Sequence, residues 1–177
     1  MTIHFITGPM FSGKTKQLIR IGQTLSQGNV LFVKHTIDTR YRNDFICTHD
    51  KIQQKAISTT ELTSLEISPD TKYILIDEGH FFSDLEIVEQ WANEGKKIWI
   101  SGLLSDSKRQ IFPNIIPILA KLDHIQFLHG QCTCGNKTAF TKYISKQTPK
   151  SGFILVGGDN MYQGVCRNCF LNVGGDG

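Results

Sequence analysis

No stretch of this sequence is apolar for long enough to cross a membrane; the run Ile-Ile-Pro-Ile-Leu-Ala at 115–120 is short and interrupted by proline. No block of lysine and arginine stands out, and a net charge of +3 over 177 residues is too mild to argue for a nucleic-acid partner. Five cysteines, an odd number, argue against a secreted disulfide framework and for a reducing, cytoplasmic setting. The chain enters an apolar run at residue 3, so no signal or transit peptide is expected. Internal repeats and low-complexity segments are absent. What is left, 40% hydrophobic and 20% charged residues, is the composition of a folded globular chain: one domain, with room for a small appendage.

Against that background one segment carries chemistry. Gly8, Pro9, Met10, Phe11, Ser12, Gly13, Lys14 and Thr15 follow the apolar run 3–7 and fit G-x-x-x-x-G-K-[ST]. In such a loop backbone N–H groups surround a polyphosphate, and glycines let the chain turn and approach the phosphates closely. Lys14 is suited to the β- and γ-phosphates of ATP as a point charge, and the Thr15 hydroxyl to Mg²⁺. A helix over 15–27 then presents its N-terminus to the anion. The alternative is a chance glycine-rich turn.

A second segment supports the first. Tyr-Ile-Leu-Ile at 73–76 is followed by Asp77 and Glu78, the pattern of a buried parallel strand ending in two acids. Such a strand is expected beside the first one, with Asp77 projecting into the nucleotide crevice to hold Mg²⁺ directly or through water. Glu78 points elsewhere and is available as a base. Exposed acids capping an ordinary strand are the competing reading.

The rest of the pattern alternates. Strands are expected at 30–34, weakly at 55–58, at 97–101 and at 125–128; helices at 61–65, 84–94 and 114–121, the second with Leu85, Val88 and Trp91 on one face. This predicts an α/β fold like that of phosphate-loop NTPases, a parallel sheet with right-handed crossovers and helices on both faces. After residue 129 the pieces become short and bear Gly and Cys, too thin for an independent core. The expected division is a nucleotide-binding domain at 1–129 and a small domain at 130–177.

Cys132 and Cys134 form one close pair, Cys166 and Cys169 another. Four thiolates from two turns suit tetrahedral zinc in a structural role, since no open coordination position is suggested. The second pair has the usual C-x-x-C spacing and the first is tighter, C-x-C. A redox pair or buried free thiols are the alternatives. Cys47 is left over as a reduced thiol.

Taken in order, Gly8 to Thr15, Asp-Thr-Arg-Tyr at 38–41, Cys-Thr-His-Asp at 47–50, Asp-Glu-Gly-His-Phe-Phe at 77–82, Thr141 with Lys142, and 157–162 followed by Cys166 to Cys169 resemble the thymidine kinases of the cytosolic and poxvirus type. The resemblance spans nearly the whole chain. It implies transfer of phosphate from ATP with Mg²⁺ to the 5′-hydroxyl of thymidine or deoxyuridine, a step in the salvage route to DNA precursors. It implies a zinc ribbon with a lasso loop, a homotetramer and inhibition by thymidine triphosphate. By resemblance Glu78 is the catalytic base, and Arg40 offsets charge on the transferred group; for Arg40 the other reading is a surface salt bridge. Met10, Asp38, Phe81, Leu103, Thr141, Phe153, Leu155, Gly157 and Tyr162 correspond to the nucleoside slot, although Phe81 and Leu103 also fit plain core packing.

This chain departs from the family pattern in three places. His80 stands where glutamine is usual, Leu104 and Ser107 stand where an aspartate and an aromatic are usual, and the first cysteine pair is one residue tighter. The first two touch base recognition and leave the phosphate machinery intact. Two other functions compete: a nucleic-acid-dependent ATPase in which Glu78 activates water, and a nucleic-acid-binding module with a degenerate phosphate loop. The intact Lys14, Thr15, Asp77 and Glu78 and the weak positive charge oppose the latter.

Overall fold

The computed structural model describes residues 1–25, 29–38, 44–48, 51–145 and 161–172. Its centre is a six-stranded sheet built from β1 (Thr2–Thr7), β2 (Val30–His35), β5 (Ile57–Thr59), β6 (Tyr73–Asp77), β7 (Lys97–Ser101) and β8 (His124–Phe127), in the order β5-β2-β6-β7-β1-β8. All of its pairings are parallel.

Period-two alternation sorts its side chains between two cores. Ile3, Phe5, Val33, Ile74, Ile76, Ile98 and Ile100 face one way. There they meet Val88, Trp91 and Ala92 of α2 (Ile87–Asn93), together with Ile115 and Ile118 around α3 (Ile116–Leu119). Ile6, Phe32 and Leu75 face the other way and pack on Leu18 and Ile19 of α1 (Lys14–Thr24). Each fully buried Leu, Ile or Phe contributes about 1.5–3 kcal/mol, which makes burial the main favourable term for the sheet. Gly22 belongs to this packing, because a Cβ there would lie 2.1 Å from the Phe32 ring. Helices on both faces of a parallel sheet are as the sequence predicts.

Strand order corrects one expectation. The acid-bearing strand β6 does not lie beside β1; β7 runs between them. The crossover from β6 through α2 brings β7 down against β6, and β7 then supplies the partner for β1.

Smaller differences have local causes. The weak strand at 55–58 is two strands: β5, and β4 (Gln53–Lys55), which pairs antiparallel with β3 (Phe45–Cys47), with buried Ala56 turning between them. The helix expected at 61–65 is a single 3₁₀ turn over Leu62–Ser64. The one at 84–94 begins as turns and becomes α-helical only at Ile87, yet Leu85, Val88 and Trp91 are buried together as their spacing requires. The helix at 114–121 splits into a 3₁₀ turn over Pro113–Ile115 and α3, each with proline in its first turn.

Beyond β8 a small antiparallel pair, β9 (Phe140–Tyr143) with β10 (Tyr162–Val165), leads to α4 (Arg167–Leu171). Its core is Cys132, Val165 and Cys166, flanked by Phe140, Cys169 and Phe170. Arg167 lies over the Phe140 ring at 4.8 Å, and Arg109, from the 102–112 segment, over Phe170 at 5.1 Å. Among the described residues no helix is long and apolar enough to cross a membrane.

Candidate active site

The C-terminal ends of the sheet strands gather the chemistry. The loop after β1 uses three left-handed or glycine-only conformations: Gly8 at φ 144°, Phe11 at 62° and Gly13 at 86°. Gly8 is also a tight contact. A Cβ on it would lie 2.2 Å from the carbonyl oxygen of Leu128, whose own N–H donates to Thr7 O at 2.7 Å. Gly13 is the N-cap of α1, and the first turn of that helix carries no acidic residue. Lys14 is buried and its Nζ donates to Pro9 O at 2.9 Å, bracing the loop from inside. Ser12 Oγ is shut off from solvent with no hydrogen-bond partner among the described residues. A glycine cradle, an orphaned hydroxyl and an unneutralised helix start form a donor set that fits a polyphosphate.

Asp77 reaches this loop although β7 intervenes. Its carboxylate accepts from the Thr15 hydroxyl at 3.2 Å and from the Ser101 hydroxyl at the end of β7. The intervening strand therefore contributes a buried serine that no sequence motif marks. Burial, with the charge of Glu78 next, pushes the Asp77 carboxyl up to about 7, while the two hydroxyl donors pull the other way. A hydroxyl and a carboxylate side by side in an oxygen-lined crevice fit Mg²⁺. Glu78 follows in the left-handed region at φ 53°, half-buried and near enough for its charge to act on Asp77.

Lys34 was also invisible to motif reading. It is the penultimate residue of β2, opposite Asp77, and is 2% exposed. Its Nζ donates to the carbonyls of Asp38 (3.0 Å) and Phe45 (3.2 Å) and lies 3.9 Å from Asp38 Oδ2. A buried ammonium thus ties the Asp38 segment to the β3–β4 hairpin. The only available signal was a cation closing an otherwise apolar strand.

Of the residues expected around the nucleoside, Asp38 and Thr141 are buried, and Met10, Phe81, Leu103 and Tyr162 are half-buried. Phe81 packs on His80 at 4.1 Å, and the Leu103 amide donates to His80 Nδ1. The Thr141 hydroxyl accepts from the Met10 N–H at 3.0 Å, so β9 holds the phosphate loop directly. Gly164 in β10 allows the same approach, because a Cβ there would meet Met10 O at 2.8 Å. Tyr162 stands edge-on to Tyr143 at 5.4 Å. Arg40, Phe153, Leu155 and Gly157 lie outside the described residues.

Cys132, Cys134, Cys166 and Cys169 converge, their sulfurs all within 4.8 Å of one another. Tetrahedral zinc with bonds near 2.3 Å separates its sulfurs by about 3.8 Å, so the set fits zinc despite the tight C-x-C pair. That pair forms a knuckle in which the Gly135 amide donates to Cys132 O and the Cys132 amide to Asn136 O, both at 2.8 Å. Amides of Cys134 and Cys166 push the Cys132 thiol down to about 6, already favouring the thiolate a metal needs. Sharing protons with the other three sulfurs pushes Cys169 up to about 12.

A parallel sheet with a glycine-rich phosphate loop after its first strand, and a Thr–Asp pair between that loop and the end of β6 two strands away, defines an α/β nucleotide-binding protein of the phosphate-loop type. The C-terminal four-cysteine cluster narrows the class further. This chain belongs to the thymidine kinase family, whose model, described as thymidine kinase, matches residues 1–170. It is similar to the thymidine kinase of vaccinia virus strain Western Reserve, 35% identical over 175 residues, which covers 96% of this chain and 97% of the relative. It is 36% identical over 174 residues to that of vaccinia virus strain Ankara, with 96% of each covered. The thymidine kinase of monkeypox virus is 35% identical over 175 residues, 96% of this chain and 97% of the relative.

Proposed function

We propose that the chain phosphorylates the 5′-hydroxyl of thymidine, with deoxyuridine as a second acceptor, using ATP and Mg²⁺ in the salvage route to DNA precursors. The observation that carries this reading is the Thr15–Asp77 contact at 3.2 Å, with Glu78 one residue beyond the end of β6. It joins a phosphate cradle, a metal-suited pair and a base in one crevice.

In this reading backbone amides of residues 8–15 and the Lys14 ammonium hold the β- and γ-phosphates. Thr15 and Asp77 would hold Mg²⁺, which would supply charge neutralisation for the phosphates. Glu78 accepts the proton of the 5′-hydroxyl as the oxygen attacks, and Arg40 balances charge on the moving group. Met10, Asp38, Phe81, Leu103, Thr141 and Tyr162, with Phe153, Leu155 and Gly157, form the nucleoside slot. The Thr141–Met10 hydrogen bond supports joining slot and cradle, since one hydroxyl serves both sides. Zinc on the four cysteines is structural and keeps the 130–177 domain folded beside the 1–129 domain.

The protein works in the cytoplasm as a homotetramer. Support for self-association comes from the edge strand β8, where Ile125 is 58% and Phe127 42% exposed. A panel of deoxynucleosides with γ-labelled ATP and Mg²⁺ tests the activity. Label on thymidine and deoxyuridine is expected; label on no deoxynucleoside, or ATP hydrolysis stimulated by DNA, overturns it. Glu78→Gln is expected to lower turnover by about 10²–10⁴ with ATP affinity unchanged. A near-normal rate removes Glu78 as the base.

A further inference from the structure

His80, the residue that departs from the family pattern beside the base, is turned fully inward, its side chain 1% exposed. The ring packs against Phe81 at 4.1 Å and Phe112 at 4.6 Å, and its own carbonyl accepts from Asn114 Nδ2 at 3.1 Å. The 102–112 segment crosses directly over it. A Cβ on Gly102 would lie 3.3 Å from both His80 N and His80 Nδ1, so nothing larger than glycine passes without displacement.

At that crossing the Leu103 amide donates to Nδ1 at 3.2 Å. A backbone N–H only donates, so Nδ1 carries a lone pair and a neutral ring bears its proton on Nε2. The same Nδ1 lies 3.6 Å from Glu78 Oε2. Two acceptors facing each other at that distance make no hydrogen bond. The opposite tautomer would aim N–H at Glu78 and set a second N–H against that of Leu103. The choice of tautomer therefore decides whether His80 grips the loop or the base.

We infer that His80, as its Nε2–H tautomer, is a positioning residue that fixes the Leu103 backbone relative to Glu78 and so sets the gap between nucleoside wall and base. This rests on the functional reading above, in which Leu103 lines the slot and Glu78 takes the proton. The ring contacts Phe81, Phe112, Leu103 and Glu78. Its effect belongs in nucleoside binding and not in nucleotide binding.

Two substitutions of similar volume separate acceptor chemistry from packing. Asparagine puts a carbonyl oxygen near the place of Nδ1, whereas leucine fills the space and leaves the Leu103 amide unpaired. His80→Leu is expected to raise the KM for thymidine about tenfold with the KM for ATP within about twofold, and His80→Asn to restore the thymidine KM to within about threefold of wild type. Nitrogen-15 spectra of the full-length histidine-labelled protein are expected to show His80 protonated at Nε2 and bare at Nδ1. Protonation at Nδ1 overturns the proposal whether or not any variant folds. So does an active wild type whose His80→Leu variant keeps its thymidine KM, or whose asparagine variant does no better than leucine. A wild type that phosphorylates no nucleoside overturns the functional reading and this proposal together, and is told apart by the wild-type assay alone.

Discussion

The sheet and the cysteine-bearing ribbon reach order by different means. Among the described residues the larger core of the sheet encloses sixteen buried side chains, whereas that of the ribbon encloses three, two of them cysteines. The sheet is built from apolar runs buried on both faces, where exchanges that conserve volume are tolerated best. The ribbon has too little to bury and depends on four sulfurs meeting at one point. Yet the ribbon touches the loop that the sheet holds out to ATP, through Thr141 and Gly164. The part with the weaker core thus braces the part with the most exacting geometry.

The largest expected effect follows from the cysteines. Cys166→Ser should take zinc content, measured by elemental analysis, from one per chain to near none, and nucleoside phosphorylation down about 10²-fold or more. Far-UV circular dichroism should keep the signal of the sheet; its collapse would mean that the two regions are not separable. Next comes Lys34→Met within the sheet. It leaves the Asp38 and Phe45 carbonyls without their buried donor, and a loss of about 3 kcal/mol in denaturant unfolding is expected.

Gly164→Ala tests the contact between the regions. Its methyl must displace Met10 O, which should cost about 1–3 kcal/mol and weaken ATP binding by calorimetry, with zinc retained. Unchanged ATP affinity would show that the ribbon does not brace the loop.

The smallest effect is a matter of pH on the sheet alone. His4 is stacked between Trp99 and His124, and burial, then the charge of His124, lowers its pKa below 6.5. Folding therefore favours the neutral ring, so this contribution is present above pH 6.5 and is lost as pH falls below it. The melting temperature should drop from pH 7 to pH 5 more steeply in wild type than in His4→Gln. Parallel curves would mean that His4 stays solvated.

What could be read in advance divides along the same line. The strands at 73–77 and 97–101 agree with the sequence reading to the residue, because a buried parallel strand is a continuous apolar run and nothing competes with it. The phosphate loop and the cysteine pairs were legible because each has fixed spacing. The order of strands was not: pairing β7 with β1 is a long-range choice that no local pattern around Lys97–Ser101 encodes. Lys34 and Ser101 went unnoticed for a related reason. Each is a single polar residue at a strand end, and its partners are 4 to 24 positions away. Leu103 could be named from the family pattern, but its tie to His80 depends on the close pass of Gly102, which only the folded chain reveals.

The first glycine of the phosphate loop has a final consequence. It leaves room for a carbonyl 120 positions later, just past the last strand of the sheet, so two distant parts of the chain meet at this loop. A shortened version ending anywhere before Leu128 would keep the entire G-x-x-x-x-G-K-T signature and still lack one wall of the cup. The surroundings of the phosphate loop are therefore assembled from both ends of the sheet's sequence, beyond the reach of the strand-loop-helix segment alone.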